Sequence, residues 1–310
     1  MAVPRVTIGL PVFNGEQYLR AAVDSILSQD YEDFELLLAD NCSTDGTLAI
    51  CRDAAKRDSR VSVHRSDTNR GAAWNYNRLV DLAQGEYFKW AAHDDLHEPA
   101  FLRRCVEMLD AEPDISLCYT RAVDIDEYGT VIHHHDLPNY ATGSSPSARV
   151  SSILLDPSPC IESFGLTRRR QLLQTSKIGA YTGSDRTLFL ELALLGRFHE
   201  IPETLFMHRN HAGQSVHQYK DSRNRNFWFD PSWQGRFSAP QWRVFREYLR
   251  ATARSPAPPT ERARTVAPLA RWGARHRRVL AREAASLLLR RRTTTVTSAD
   301  GSGTSGEGSR

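Results

Sequence analysis

Residues 34–47 read FELLLADNCSTDGT, and this stretch decides the fold class. Residues 34–39 form a run of strand length that is apolar but for Glu35. Such a run is expected of a parallel strand covered by helices on both faces. Asp40, Asn41, Cys42 and Ser43 then end the run with polar groups, and Asp45-Gly46 opens a helix reaching about Arg57. The same unit appears on both sides. Residues 6–10 predict a strand, and apolar residues recurring every four positions predict an amphipathic helix over 15–29. Strands are expected again at 61–64, 87–92 and 115–119, with a helix over 72–83 and another beginning near Pro99. Short strands alternating with helices define an α/β layer structure with a mostly parallel sheet.

The chain has 310 residues, 40% of them hydrophobic and 25% charged, which excludes a fibrous or wholly disordered protein. No apolar run approaches the roughly 18–20 residues of a transmembrane helix. The start, MAVPRVTIGL, lacks the pattern of a secretory signal. The five cysteines, Cys42, Cys51, Cys105, Cys118 and Cys160, are odd in number and without a CxxC pair. They read as reduced thiols rather than a disulfide framework or zinc site. The expectation is a cytoplasmic protein.

In an open α/β sheet, ligands bind beyond the carboxyl ends of the strands. Here the strands end in PVFNGE (11–16), ADNCSTDGT (39–47), SDTNRGAAWNYN (66–77) and HDD (93–95). One Asp-Gly turn or one capping Ser is ordinary. Four polar loops in series on one edge point to a ligand. The first loop is not the GxGxxG of a dinucleotide-binding dehydrogenase, nor the glycine-rich basic loop of a sugar nucleotidyltransferase.

In that order and spacing, PVFNGE, DNCSTDGT, NRGAAWN and GEYFKWAAHDD resemble the nucleotide-sugar-binding half of a family 2 glycosyltransferase with the GT-A fold. The resemblance covers about residues 5–120 and continues more weakly to about 218. It implies an inverting transferase carrying a sugar from a UDP-, dTDP- or GDP-linked donor to an acceptor hydroxyl. Polysaccharide, glycolipid and natural-product acceptors all remain open, with the cell envelope as one setting. The resemblance places Pro11, Phe13 and Glu16 at the base and ribose, and makes Asp40 an acceptor for a base N–H. It counts Asn14, Asn41, Ser43, Asp45 and Asn75 in the same binding set. Arg70 and Gly71 are expected to approach the donor closely, Gly71 through its lack of a side chain.

His93-Asp94-Asp95 resembles the family's DxD-type motif. Two carboxylates beside a diphosphate suit Mn2+ or Mg2+. By the family pattern Asp95 is the favoured ligand, with Asp94 on the ribose or in a second ligand position. An Asp of many relatives is replaced by Ala92. TGSDRTLFLELALLG (182–196) supplies Asp185 as the expected general base, where relatives often carry Glu-Asp and this chain has Ser184-Asp185. FMHRNHAGQSVH (206–217) resembles a segment lying over the diphosphate, with His211 expected at the metal or phosphate and Arg209 second. His133, His134 and His135 are consecutive and cannot all converge on one ion, so an exposed loop is expected there. Ala92 and Ser184 suggest the alternative of a degenerate, non-catalytic binding subunit. The retained Asp94, Asp95, Asp185 and His211 argue for the transferase.

The expected organisation is a catalytic domain over 1–220, a basic helical extension over 221–292 and a disordered tail over 293–310. Within the domain, 1–120 is the nucleotide-binding half and 121–220 the acceptor half. Residues 255–260, SPAPPT, read as a linker. Residues 261–292 hold ten Arg against two Glu in a chain of net charge +3. Leu269, Trp272, His276, Leu280, Ala284 and Leu287 make a helical stripe within it. Packing on the catalytic domain is the first expectation, peripheral contact with an anionic membrane the second. A basic stretch with no recognised module does not argue for nucleic acid.

Overall fold

The structure, a computed structural model, describes residues 3–135, 141–155, 160–219, 221–233 and 239–296. The first half alternates strands and helices: β1 (Val6–Val12), α1 (Leu19–Leu27), β2 (Phe34–Asp40), α2 (Thr47–Arg57), β3 (Val61–Val63), α3 (Ala72–Leu82) and β4 (Tyr87–Trp90). Next come β5 (Leu96–His97), α4 (Phe101–Ala111), β6 (Ile115–Ile125), β7 (Val131–His134), α5 (Pro146–Leu155), β8 (Leu166–Arg168), α6 (Arg169–Leu172), α7 (Ser184–Leu195) and β9 (Arg197–Arg209). The remaining helices are α8 (Ser215–Gln218), α9 (Ser222–Phe229), α10 (Pro240–Arg254), α11 (Pro259–Arg264), α12 (Val266–Arg275) and α13 (Arg277–Val296).

One nine-stranded sheet runs β3-β2-β1-β4-β8-β6-β9-β5, with β7 added beside β6. The β3-β2-β1-β4 half is parallel, as the sequence implies, and β6 pairs β9 in parallel. Short β8 joins the halves antiparallel to both β4 and β6. Strand order reverses between β1 and β4, which leaves a crevice at their carboxyl ends.

Strand β2 explains why the apolar run was needed. Leu36 and Leu38 enter a cluster with Ile8, Leu10, Val23 and Phe101, whereas Leu37 and Ala39 enter one with Leu79, Phe88 and Trp90. Alternate residues face opposite sides of a strand, so both faces must be apolar when helices cover both.

The second cluster also recruits Val244, Tyr248, Leu269, Trp272 and Leu280 against Leu188 and Leu192 of α7. Trp272 stacks between Phe245, at 5.6 Å, and His276, at 4.1 Å. The apolar stripe of the basic segment is thus turned inward through Leu269, Trp272 and Leu280. Arg264, Arg271, Arg275, Arg277, Arg278 and Arg282 remain exposed. Strand β6 is longer than expected, and α13 continues through 293–296 where a disordered tail was expected. The rest of that expected tail, 297–310, lies outside the described residues.

Candidate active site

A cavity of about 980 Å³ opens at the strand-order reversal. Its lining brings together Pro11, Phe13, Asn14, Asn41, Asn75, Asp94, Asp95 and Asp185 from the expected set. Phe13 is 41% exposed, so it is a surface of the cavity and not a core residue. Tyr219, Phe227, Trp228 and Pro231 close one side.

Several other expected residues serve the loops themselves. Asn14 adopts a left-handed conformation (φ 52°), donates its N–H to Ser43 Oγ at 2.9 Å and accepts from Thr44 N at 2.9 Å. Gly15 N donates to Thr47 Oγ1 at 2.8 Å, Glu16 N to Asp45 Oδ2 at 3.2 Å, and Gly46 N to Glu16 Oε2 at 2.5 Å. The β1–α1 and β2–α2 loops are therefore stitched together reciprocally. Glu16, Ser43 and Asp45 are spent on that seam and lie off the cavity lining. Asp40 is wholly buried; Oδ1 accepts from Ser43 N at 3.0 Å, and Oδ2 has no hydrogen-bond donor, with Arg65 3.8 Å away.

Arg70 and Gly71 also differ from expectation. The Arg70 guanidinium lies 4.1 Å over the Trp74 ring. Gly71 has φ +84°, and a Cβ there would stand 2.4 Å from the Phe229 carbonyl oxygen. The close approach that glycine permits is taken by the protein's own α9 segment.

The two adjacent aspartates point differently. Asp94 Oδ2 is 2.9 Å from His211 Nε2, and His211 packs edge-on to Tyr18. Burial alone would raise the Asp94 carboxyl, but the His211 hydrogen bond and the His93 and His211 charges hold it below the usual range. Asp95 is 1% exposed; Oδ1 accepts from Arg209 N at 2.9 Å and Oδ2 has no partner. Burial, and then the Asp94 charge, push its carboxyl up to about 7. Arg209 itself is buried. Its Nε donates to the Asp94 carbonyl at 2.9 Å and one terminal nitrogen to the carbonyls of Asp126 and Glu127. It clamps the motif loop from behind instead of reaching over the cavity.

Asp185 lies in the first turn of α7 at the cavity wall, its Oδ1 accepting from Arg186 N at 2.8 Å. Cys160 is its neighbour. Burial, and then the Asp185 charge, drives that thiol far upward. Nothing in the sequence around Cys160 signalled this. Asp124, His135 and His208 also line the cavity and were not anticipated as a group. The histidine triplet is not an exposed loop: His133 and His134 lie on the exposed strand β7, and His135 turns in until Nε2 is 2.7 Å from Asp124 Oδ1.

A parallel half-sheet thus carries a carboxylate pair at the reversal, with a lone Asp on the same cavity. The glycosyl transferase family 2 model matches residues 7–190, and the chain belongs to that family. EpsE of Bacillus subtilis (strain 168), named a candidate glycosyltransferase, is 34% identical over 127 residues, which cover 41% of this chain and 46% of EpsE. TuaG of the same strain, named a candidate teichuronic acid biosynthesis glycosyltransferase, is 33% identical over 106 residues, covering 34% of this chain and 42% of TuaG. The matched stretch is thus less than half of either relative. Among solved structures, S. aureus TarS 1–349 in complex with UDP-GlcNAc superposes with a TM-score of 0.63 at 17% identity, over 88% of this chain and 72% of that one. The mannosyltransferase PcManGT from Pyrobaculum calidifontis, in complex with GDP-Man and Mn2+, gives 0.55 at 17% identity, over 97% and 77%. At such identity these two establish the GT-A fold alone. Among the described residues, no helix is long and apolar enough to cross a membrane.

Proposed function

We propose that the chain is an inverting glycosyltransferase that uses a nucleoside-diphosphate sugar, with Asp185 as its general base. The observation that carries this is the placement of Asp94 and Asp185 on one cavity at the strand-order reversal. The nucleoside rests against Pro11, Phe13 and Asn41, as the family pattern suggests, and the diphosphate lies toward His93 and Asp94. Asp185 takes the proton of the acceptor hydroxyl as its oxygen attacks the anomeric carbon. The bond from that carbon to the diphosphate breaks, and the nucleoside diphosphate leaves on the opposite side.

The residues fit a divalent ion. Asp94 and His211 meet with one oxygen and one nitrogen 2.9 Å apart, and the buried Asp95 Oδ2 has no partner. A mixed imidazole and carboxylate pair suits Mn2+ better than Mg2+. When bound, such an ion supplies charge neutralisation for the departing diphosphate. Asp94 and His211 would hold it, with Asp95 supporting the loop from inside. The retained Asp185 favours this reading over a non-catalytic binding subunit.

The name of TuaG supports an envelope polysaccharide as the acceptor class. The exposed arginines of α12 and α13 would give an electrostatic contact with an anionic membrane surface on the cytoplasmic side, since Trp272 and Leu269 are already buried. The test is thermal unfolding against UDP, GDP, dTDP, CDP and ADP with Mn2+ or EDTA, followed by transfer assays with the sugars of the stabilising series. A ligand at 100 times its Kd adds about 2.7 kcal/mol, which moves Tm by several degrees. Product with the anomeric configuration opposite to the donor's is expected. Retention of configuration, or no stabilisation by any nucleotide, sinks the reading.

A further inference from the structure

Strands β7, β6 and β9 lie side by side, and their register brings three metal-binding side chains to one spot. Asp124 of β6 pairs with His208 across β9 and with His133 across β7, and His135 lies two residues beyond His133 on the same face. His135 Nε2 is 2.7 Å and His208 Nδ1 is 2.9 Å from the same atom, Asp124 Oδ1. One ligand atom from each residue falls within 4.8 Å of the other two.

We infer that Asp124, His135 and His208 form a second divalent-metal site, of the zinc and cobalt class, on the cavity wall. Two imidazoles and one carboxylate make a three-ligand set that leaves a coordination position open. Imidazole-rich sets select zinc-like ions over Mg2+ and Ca2+, which prefer oxygen. A tetrahedral ion with bonds of about 2.0 Å separates its ligand atoms by about 3.3 Å. The two Asp124 contacts, at 2.7 and 2.9 Å, need to widen by less than 1 Å, and the two imidazole nitrogens stand within 4.8 Å of each other. The Gln214 amide sits 3.2 Å from His208 Nε2 and holds that ring with Nδ1 toward Asp124. All three residues are partly exposed and line the cavity, so the open position faces it. An oxygen of the acceptor, from a hydroxyl, carboxylate or phosphate group, is the ligand class that would complete it. The site shares no residue with the Asp94–His211 pair, although His208 lies near enough to feel the charges of Asp95 and Asp94.

The experiment is a Co2+ titration of the untagged, EDTA-stripped full chain, read by visible absorbance, with Zn2+ displacement as a check. It is run on the native chain, on Asp94→Asn, and on Asp94→Asn combined with His135→Ala, His135→Gln or Asp124→Asn. One equivalent of Co2+ should remain with Asp94→Asn and give visible bands that Zn2+ bleaches. Adding any of the three second substitutions should weaken it by more than about tenfold, the upper range for a residue lost behind a ligand being a hundredfold. Circular dichroism verifies folding, and His135→Gln keeps a polar group beside Asp124 should His135→Ala unfold. Co2+ affinity unchanged by these second substitutions overturns the inference. So does the absence of Co2+ binding in Asp94→Asn.

Discussion

His211 Nε2 meets Asp94 Oδ2 at 2.9 Å, a contact that ties the loop after β9 to the loop after β4 across 117 residues of chain. It joins a motif of the first half of the chain to the segment after the last strand, and the proposed metal site rests on it. His211→Ala should therefore raise the Mn2+ concentration giving half-maximal transfer by about tenfold or more. Nucleotide stabilisation in EDTA should barely change. An unaltered Mn2+ dependence would remove His211 from the metal site.

Asp185→Asn keeps size and hydrogen-bonding geometry but cannot accept the acceptor proton. Transfer should fall by about 10²–10⁴-fold, the usual contribution of a positioned base. The thermal shift produced by the nucleoside diphosphate should persist. Loss of both together would mean that Asp185 shapes the fold of the site instead.

Lys89 is 1% exposed, its ammonium donates to the Phe164 carbonyl and lies 4.3 Å over the Phe101 ring. Burial lowers its pKa to about 7, well under the value of an unfolded lysine. Between pH 7 and about 10.4 the unfolded chain therefore holds a proton there that the folded chain has lost. Native stability must gain from this group as pH rises through that window. Lys89→Met has no such group, so its Tm minus the native Tm should fall steadily from pH 7 to pH 10. A flat difference would show that Lys89 stays charged in the fold.

At Gly71 the backbone conformation is one essentially reserved for glycine, and a side chain there would strike the α9 segment. Gly71→Ala should cost about 1–3 kcal/mol and lift residues 222–231 from the cavity. Faster tryptic cleavage at Arg225 and a changed Trp228 emission would report it. Unchanged cleavage would mean that α9 is held elsewhere.

Much of this architecture was legible in the chain. Leu36 to Ala39 had to be apolar on both faces, and the polar loops after β1, β2 and β4 had to share one edge. The site was less legible for specific reasons. Asp94 and Asp95 are adjacent in a loop, where no periodicity says which one faces out; Arg209 decides it by occupying Asp95 Oδ1 from behind. Glu16 and Asp45 look like ligand groups in sequence but are consumed by backbone N–H groups, Asp45 by that of Glu16 and Glu16 by that of Gly46. Asp124, His135 and His208 are brought together only by strand register, which a linear spacing of 11 and 84 residues conceals. Helix α5 carried Val150, Ile153 and Leu154 at helical spacing, but the Gly-Ser-Ser-Pro-Ser of 143–147 that runs into its first turn reads as loop.

The seam between the first two loops has an implication for adaptability. Because Asn14 is tied to Ser43 and Thr44, and Glu16 to Asp45 and Gly46, the first two loops hold each other in place, and altering any of these residues disturbs the partner loop. If the proposed donor site holds, changes of sugar or base preference are more readily accommodated around Tyr219, Phe227 and Trp228, which face the cavity from a separate stretch of chain. Directed evolution of donor choice has its freest ground there, beside a floor whose loops depend on each other.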